Sequence, residues 1–182
     1  MTNRIKTVQN PRAILIACKN SKRIAEIISD ILNFCSYNTC IDDFSQNTDF
    51  VIENRDYDDN CPENVIADTI LFDGDCEIDE DRMMQFREKV TSYENAMRLY
   101  GDDFSGVITF SADNYGADVA CRNVSEDNGT ASFEIIGNGI LSRVNIIDGK
   151  YSVEEVLACT GVLLAIGMPM ASVLSFFDYE EK

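Results

Sequence analysis

Two textures of apolar and polar positions divide this chain near residue 105. In the first, a short apolar run, Ala-Ile-Leu-Ile-Ala-Cys at 13–18, precedes a polar turn and then Ile24, Ile27, Ile28, Ile31, Leu32 and Cys35. The run is short and isoleucine-rich and predicts a buried strand; the i, i+3, i+4, i+7, i+8, i+11 spacing after it predicts an amphipathic helix. Extended segments are predicted at 37–41 and 49–54, and a strand at 68–73, Asp-Thr-Ile-Leu-Phe-Asp, bounded by acidic turn residues. Strand, helix and strand in this order imply a parallel α/β unit. Met83, Phe86, Val90, Tyr93, Met97 and Tyr100 recur at helical spacing, so a second helix is predicted over 80–101, with Gly101 as its stop. A buried strand at 106–111 closes this half.

The second texture is strand-rich. The segments Ala-Asp-Val-Ala-Cys-Arg-Asn-Val-Ser, Gly-Thr-Ala-Ser-Phe-Glu-Ile-Ile-Gly and Ile-Leu-Ser-Arg-Val-Asn-Ile-Ile are separated by Glu-Asp-Asn-Gly and Gly-Asn-Gly, which are hairpin signals. They predict an antiparallel meander of three strands. A helix over 152–167 follows, with Ser152 and Glu155 spaced as a capping box and Gly167 at its end. Pro169 then opens a last short helix. With no internal repeat and no linker, the economical organisation is one domain over 1–182: an α/β half over 1–105 and a meander with C-terminal helices over 106–182.

Composition narrows the chemistry. The 182 residues are 45% apolar, as a globular core requires, and no apolar run reaches the length of a membrane span. The N-terminus lacks the pattern of a signal peptide, so a cytoplasmic location is expected. Seven cysteines contain no C-x-x-C pair, which argues against a zinc site or a disulfide scaffold and fits small buried hydrophobes. Histidine is absent, which removes Ser-His and Cys-His nucleophile pairs and a His general base. The net charge is −17, of which residues 42–81 contribute −14, from 15 acidic residues and one Arg. A field of that sign disfavours nucleic acid and leaves a basic protein partner for the 42–81 region as an alternative.

Two kinds of candidate site emerge. The turn after the first strand, Cys18-Lys19-Asn20-Ser21-Lys22-Arg23, stands where a strand–loop–helix would cradle phosphate. A phosphate loop needs glycines so that backbone amides can close on the ligand, a Lys for its charge and a hydroxyl for Mg²⁺. Lys22 occupies a Lys position, but Ser21 stands for the preceding glycine and Arg23 for the hydroxyl. Lys19, Asn20, Ser21, Lys22 and Arg23 are therefore candidate contacts for a weakly held anion. The acidic stretches 56–61 and 73–81 begin like calcium loops, but Ala67 and Met84 fall where the bidentate carboxylate belongs. No metal site is expected in either.

The C-terminal half resembles the central domain of the Mur ligases, ATP-dependent enzymes that add amino acids to the peptidoglycan precursor. The matching residues are Thr109-Phe110, Ala117-Asp118-Val119, Asn123-Val124, Ser132-Phe133, Gly149, Leu157-Ala158 and Ile166-Gly167. The resemblance implies a P-loop-NTPase-like α/β sheet with flanking helices, and it sets Asn20-Ser21-Lys22 against that family's Asn-Gly-Lys. The segment around Phe86 and Lys89 is similar to the helix that bears the family's modified active-site lysine. The departures fall on the chemistry. The family's His-Asn pair is Tyr151-Ser152 here, its later Asn is Glu155, and its magnesium-holding Glu and His have no counterpart. Resemblance and departures together imply a stand-alone, degenerate domain with no catalytic residues and no assured use of ATP or Mg²⁺. Its role would be binding or regulation. The rivals are a nucleotide- or phosphate-binding enzyme using Lys19, Lys22 and Arg23, and an acidic protein-interaction module.

Overall fold

The computed structural model describes residues 11–43, 48–55, 67–74, 80–127, 129–147 and 149–180. The acidic stretch 56–61, the middle of the stretch 73–81 and half of the acidic 42–81 region lie outside the described residues.

One nine-stranded sheet carries both halves, in the order β2-β3-β1-β4-β5-β6-β7-β8-β9. β1 (Arg12–Ala17) runs into α1 (Ser21–Phe34), then β2 (Thr39–Ile41), β3 (Phe50–Arg55) and β4 (Thr69–Phe72). β1 to β6 pair in parallel throughout. β1 is thus flanked by β3 on one side and β4 on the other, so the chain changes direction across the sheet beside β1, a place where α/β folds open a crevice. β7 (Val119–Asp127), β8 (Thr130–Gly137) and β9 (Ile140–Ile147) form the expected antiparallel meander. α4 (Val153–Ala165) and α5 (Met170–Glu180) end the chain's described elements.

The expected single helix over 80–101 is corrected. α2 is confined to Glu80–Met83, β5 spans Glu88–Ser92, and α3 runs over Tyr93–Tyr100. Val90 and Thr91 are fully buried in a strand held on both sides by parallel neighbours. β-Branched residues suit that position better than a helix, where χ1 is crowded by the preceding turn. The apparent helical stripe joined three elements by accident: Met83 and Phe86 pack on one face of the sheet and Val90 on the other. Gly101 does end α3, with φ +64° and its N–H on Met97 O at 3.0 Å.

The larger core lies between one sheet face and α1, α4 and α5. Ile14, Ile16, Ile52, Leu71, Val119, Phe133 and Val144 project into it, together with Ile28 and Leu157 from the helices. Residues 156–163 of α4 are buried without exception, as expected for a helix apolar all round and enclosed by sheet and neighbouring helices. The opposite face carries a smaller cluster of Ala13, Leu15, Ile70, Phe72, Met83 and Phe86. Among the described residues, no helix is long and apolar enough to cross a membrane.

Several residues that carried the family resemblance hold backbone. Asp118 accepts from the Thr109 amide at 2.8 Å and its hydroxyl at 2.9 Å, while Thr109 Oγ1 accepts from the Asp118 amide at 3.1 Å. That reciprocal clasp closes the seven-residue connection between two parallel strands, which ordinarily needs a much longer crossover. β7 begins beside the end of β6 (Val107–Ser111), with Phe110 opposite Val119, so the stagger makes the short connection feasible. Asn123 takes φ +55° where the β7–β8 register shifts between Arg122 and Ser125, a bulge position that asparagine tolerates. Its Nδ2 and Arg122 Nε both donate to Glu134 Oε2, holding the Glu134 carboxyl below its ordinary range, chiefly through Arg122.

Candidate functional site

The carboxyl ends of β1, β4, β5 and β6 gather at one edge of the sheet. β1 ends at Ala17 and α1 begins at Ser21, so three residues form the whole connection. Cys18 is buried and its carbonyl accepts from the Ser21 amide at 3.1 Å. Asn20 makes the reversal at φ +66°, with no side-chain cap on the helix. Asparagine is among the few residues that reach that region without glycine's freedom.

The five candidate residues do not converge on one point. Lys19, Asn20 and Lys22 are exposed, and Ser21 is fully buried. Arg23 turns toward the entrance of α4, where it donates to Lys150 O and its guanidinium lies 5.4 Å from the Tyr151 ring centroid. A magnesium triphosphate fits this connection poorly. The turn is short, has no glycine to let amides wrap a phosphate, buries the hydroxyl it has, and commits its arginine elsewhere.

Beside the turn, a polar rim joins β4 to β6. The Asp73 amide donates to Ala17 O at 3.3 Å, placing Asp73 next to the β1–α1 connection. Ser92 Oγ donates to Asp73 Oδ1 at 2.6 Å and accepts from the Asn95 amide at 3.2 Å, as the N-cap of α3. Asn95 Nδ2 donates to Thr91 Oγ1 at 2.8 Å, and Arg98 donates to Asn95 Oδ1 and Gly74 O. Ser111 Oγ donates to Glu94 Oε1 at 2.9 Å and accepts from the amides of Asp113 and Asn114. Reading 80–101 as one helix concealed this rim. The signal was present in Ser92-Tyr93-Glu94-Asn95, a cap residue directly after the β-branched pair Val90-Thr91. Lys89, matched to a helical lysine, sits instead on β5 with Nζ on Phe86 O at 3.0 Å.

A cleft of about 800 Å³ opens between Arg23, the end of β6, the meander and the start of α4. Asp113, Glu126, Glu154 and Glu155 line it against two bases, Arg23 and Lys150. Both bases lean on Tyr151, Lys150 Nζ at 5.3 Å from its ring centroid. The start of α4 is likewise occupied by its own side chains. Ser152 Oγ accepts from the Glu155 amide at 3.1 Å, and Glu155 Oε2 accepts from the Ser152 amide at 2.9 Å. The capping box read from sequence is therefore present, and Glu154 and Glu155 supply the negative charge that a helix N-terminus favours. Tyr151 is buried against Phe177, ring centroids 5.5 Å apart. The positions matched to the family's His-Asn pair and later Asn are thus engaged in packing and capping.

Of the described cysteines, Cys18, Cys121 and Cys159 are buried in the core and Cys35 packs against it. Burial raises the Cys35 and Cys121 thiols and raises Cys159 well above its ordinary value, with Glu154 and Asp113 adding to the effect at Cys121 and Glu155 at Cys159. All three thiols stay protonated near neutrality, the unreactive form.

No family model matches the sequence, and no curated protein matches it. Solved structures do. The chain is similar to MurF from Acinetobacter baumannii, at 11% identity and a TM-score of 0.71, over 93% of this chain and 46% of that one. It is similar to the MurF ligase from Thermotoga maritima solved with ADP, at 10% identity and a TM-score of 0.65, over 91% of this chain and 48% of that one. A third is the UDP-N-acetylmuramate:L-alanyl-gamma-D-glutamyl-meso-diaminopimelate ligase from Neisseria meningitides, at 12% identity and a TM-score of 0.61, over 94% and 67%. The chain spans about half the length of the two MurF chains. Its mostly parallel sheet, closed by three antiparallel strands, is the fold of the Mur ligases.

Proposed function

We propose that this chain is a binding domain on the Mur ligase fold that performs no ATP-dependent ligation, with a binding or regulatory role linked to cell-wall precursor metabolism. The β1–α1 connection carries the reading: three residues, without glycine, turning on a left-handed Asn20. Support comes from the neighbouring positions, where Arg23 of α1 is committed to Lys150 O and the Tyr151 ring, and Ser152 and Glu155 cap α4. An acid-rich cleft also disfavours a bare polyphosphate. Isothermal titration with millimolar ATP and Mg²⁺ should give no saturable heat, and a coupled assay no ADP release. Tight binding with turnover would overturn the reading.

A second reading keeps an anion contact at the same turn. Lys19 and Lys22 are exposed, and the first turn of α1 holds no acidic residue to compete with an anion for its N-terminus. On this reading, nucleotide or inorganic phosphate raises the melting temperature of the wild type and Lys22→Ala abolishes the shift. A wild type that shows no shift with any of them defeats it.

A further inference from the structure

We infer that β9 is a pairing edge for a second copy of this chain, joined antiparallel about a two-fold axis at Val144. The inference is independent of what the cleft binds. β9 ends the sheet among the described strands, and its eight residues pair with β8 in an unbroken register from Ile140–Gly137 to Ile147–Thr130. A terminal strand offers a row of unpaired amides and carbonyls, which proteins usually blunt with brevity, proline, lysine or a bulge. The opposite edge, β2, is only three residues long. β9 is eight residues long, without proline, lysine or a bulge and with Arg143 as its single charge, and it leaves Ile140, Leu141 and Ile147 each more than two-fifths exposed.

The sequence of β9 fits its own reverse. Directly opposed residues in an antiparallel pair share a face, so a two-fold axis normal to the sheet passes through a residue position. Centred on Val144, the pairing sets Leu141 against Ile147 of the second copy and Arg143 against Asn145, with Ser142 against Ile146 as a mixed pair and Ile140 without an opposite residue in β9. Centred one residue earlier, on Arg143, it would set two guanidinium groups face to face, which is disfavoured. Charge is compatible with this edge: in a chain of net charge −17, residues 140–147 contain no acid and one base, so the strand itself adds no acid–acid repulsion between two copies.

Sedimentation velocity on the 182-residue chain over a concentration series tests the inference. The expected result is a monomer–dimer equilibrium that tightens with added salt, because the remaining acids of the two copies repel at low ionic strength. Leu141→Glu and Ile147→Lys, both at exposed positions, should each raise the dimer Kd roughly tenfold or more. Combined in one chain, they set the new carboxylate of each copy against the new ammonium of the other, twice over, and should restore the dimer. A second measurement is specific to register. Arg143→Cys mixed with Asn145→Cys should oxidise to a covalent heterodimer, since opposed strand positions fall within disulfide reach. A wild type that stays monomeric at every concentration overturns the inference, and so does a double variant that dimerises no better than either single one.

Discussion

Phe133→Ala should lower the free energy of unfolding by about 3–5 kcal/mol, the range for truncating a large aromatic in a packed core. Phe133 is fully buried on β8, opposite Val144, in the cluster that joins the meander to α4 and α5. Native stability is typically only about 5–15 kcal/mol, so this one change removes a large share of it. In urea, with a slope of about 2 kcal/mol per M, the midpoint should fall by about 1.5–2.5 M. Ser132 gives the internal control. It is only half-buried, its hydroxyl shares a hydrogen bond with Asn145 Oδ1 at 2.7 Å and accepts from Arg143 Nε at 2.9 Å, and Ser132→Ala should cost only about 1 kcal/mol. The two adjacent residues matched the Mur ligases together, yet they differ in role. A Phe133→Ala midpoint close to that of Ser132→Ala would show that the meander is not anchored through this ring.

The legible sequence patterns were those with one physical cause. α1 was legible because Ile24, Ile27, Ile28, Ile31 and Leu32 face a single wall, the sheet, and their spacing records that wall directly. The meander was legible because Asn-Gly turns and alternating burial report hairpins locally. β5 was hidden because it is central: both of its faces are covered, so its five residues carry no alternation, and flanking apolar residues completed a false helical period. The site was hidden for a related reason. Asp73, the Ser92–Asn95 turn and Ser111 come from three separate segments and are brought together because β4, β5 and β6 are neighbours. The resemblance to the Mur ligases was legible through residues such as Asp118 and Phe133, which hold backbone and core. Residues of that kind report a fold; they do not report whether its chemistry is retained.

Gly161→Leu should cost about 3 kcal/mol or more, by overpacking a core with no room for the new side chain. Gly161 lies inside α4, where glycine is about 1 kcal/mol worse than alanine, so its presence there calls for a compensating reason. A Cβ at this position would meet Val90 Cγ1 at 3.0 Å, and Val90 is itself fully buried on β5. The helix crosses the sheet closely at this point, and that approach fixes where its first turn, Ser152 to Glu155, forms the wall of the cleft. Gly161→Ala sets the helix-propensity gain of about 1 kcal/mol against a displacement of Val90, and the two should nearly cancel. Val90→Ala alone should cost about 2 kcal/mol for the lost burial. In the Gly161→Ala background it should cost less, because the alanine methyl fills part of the vacated space and the crowding is relieved. The double-mutant cycle in urea should therefore show a favourable coupling of about 1 kcal/mol. Additivity within about 0.4 kcal/mol would mean that α4 and β5 do not depend on this contact, and that another part of the core positions the cleft wall.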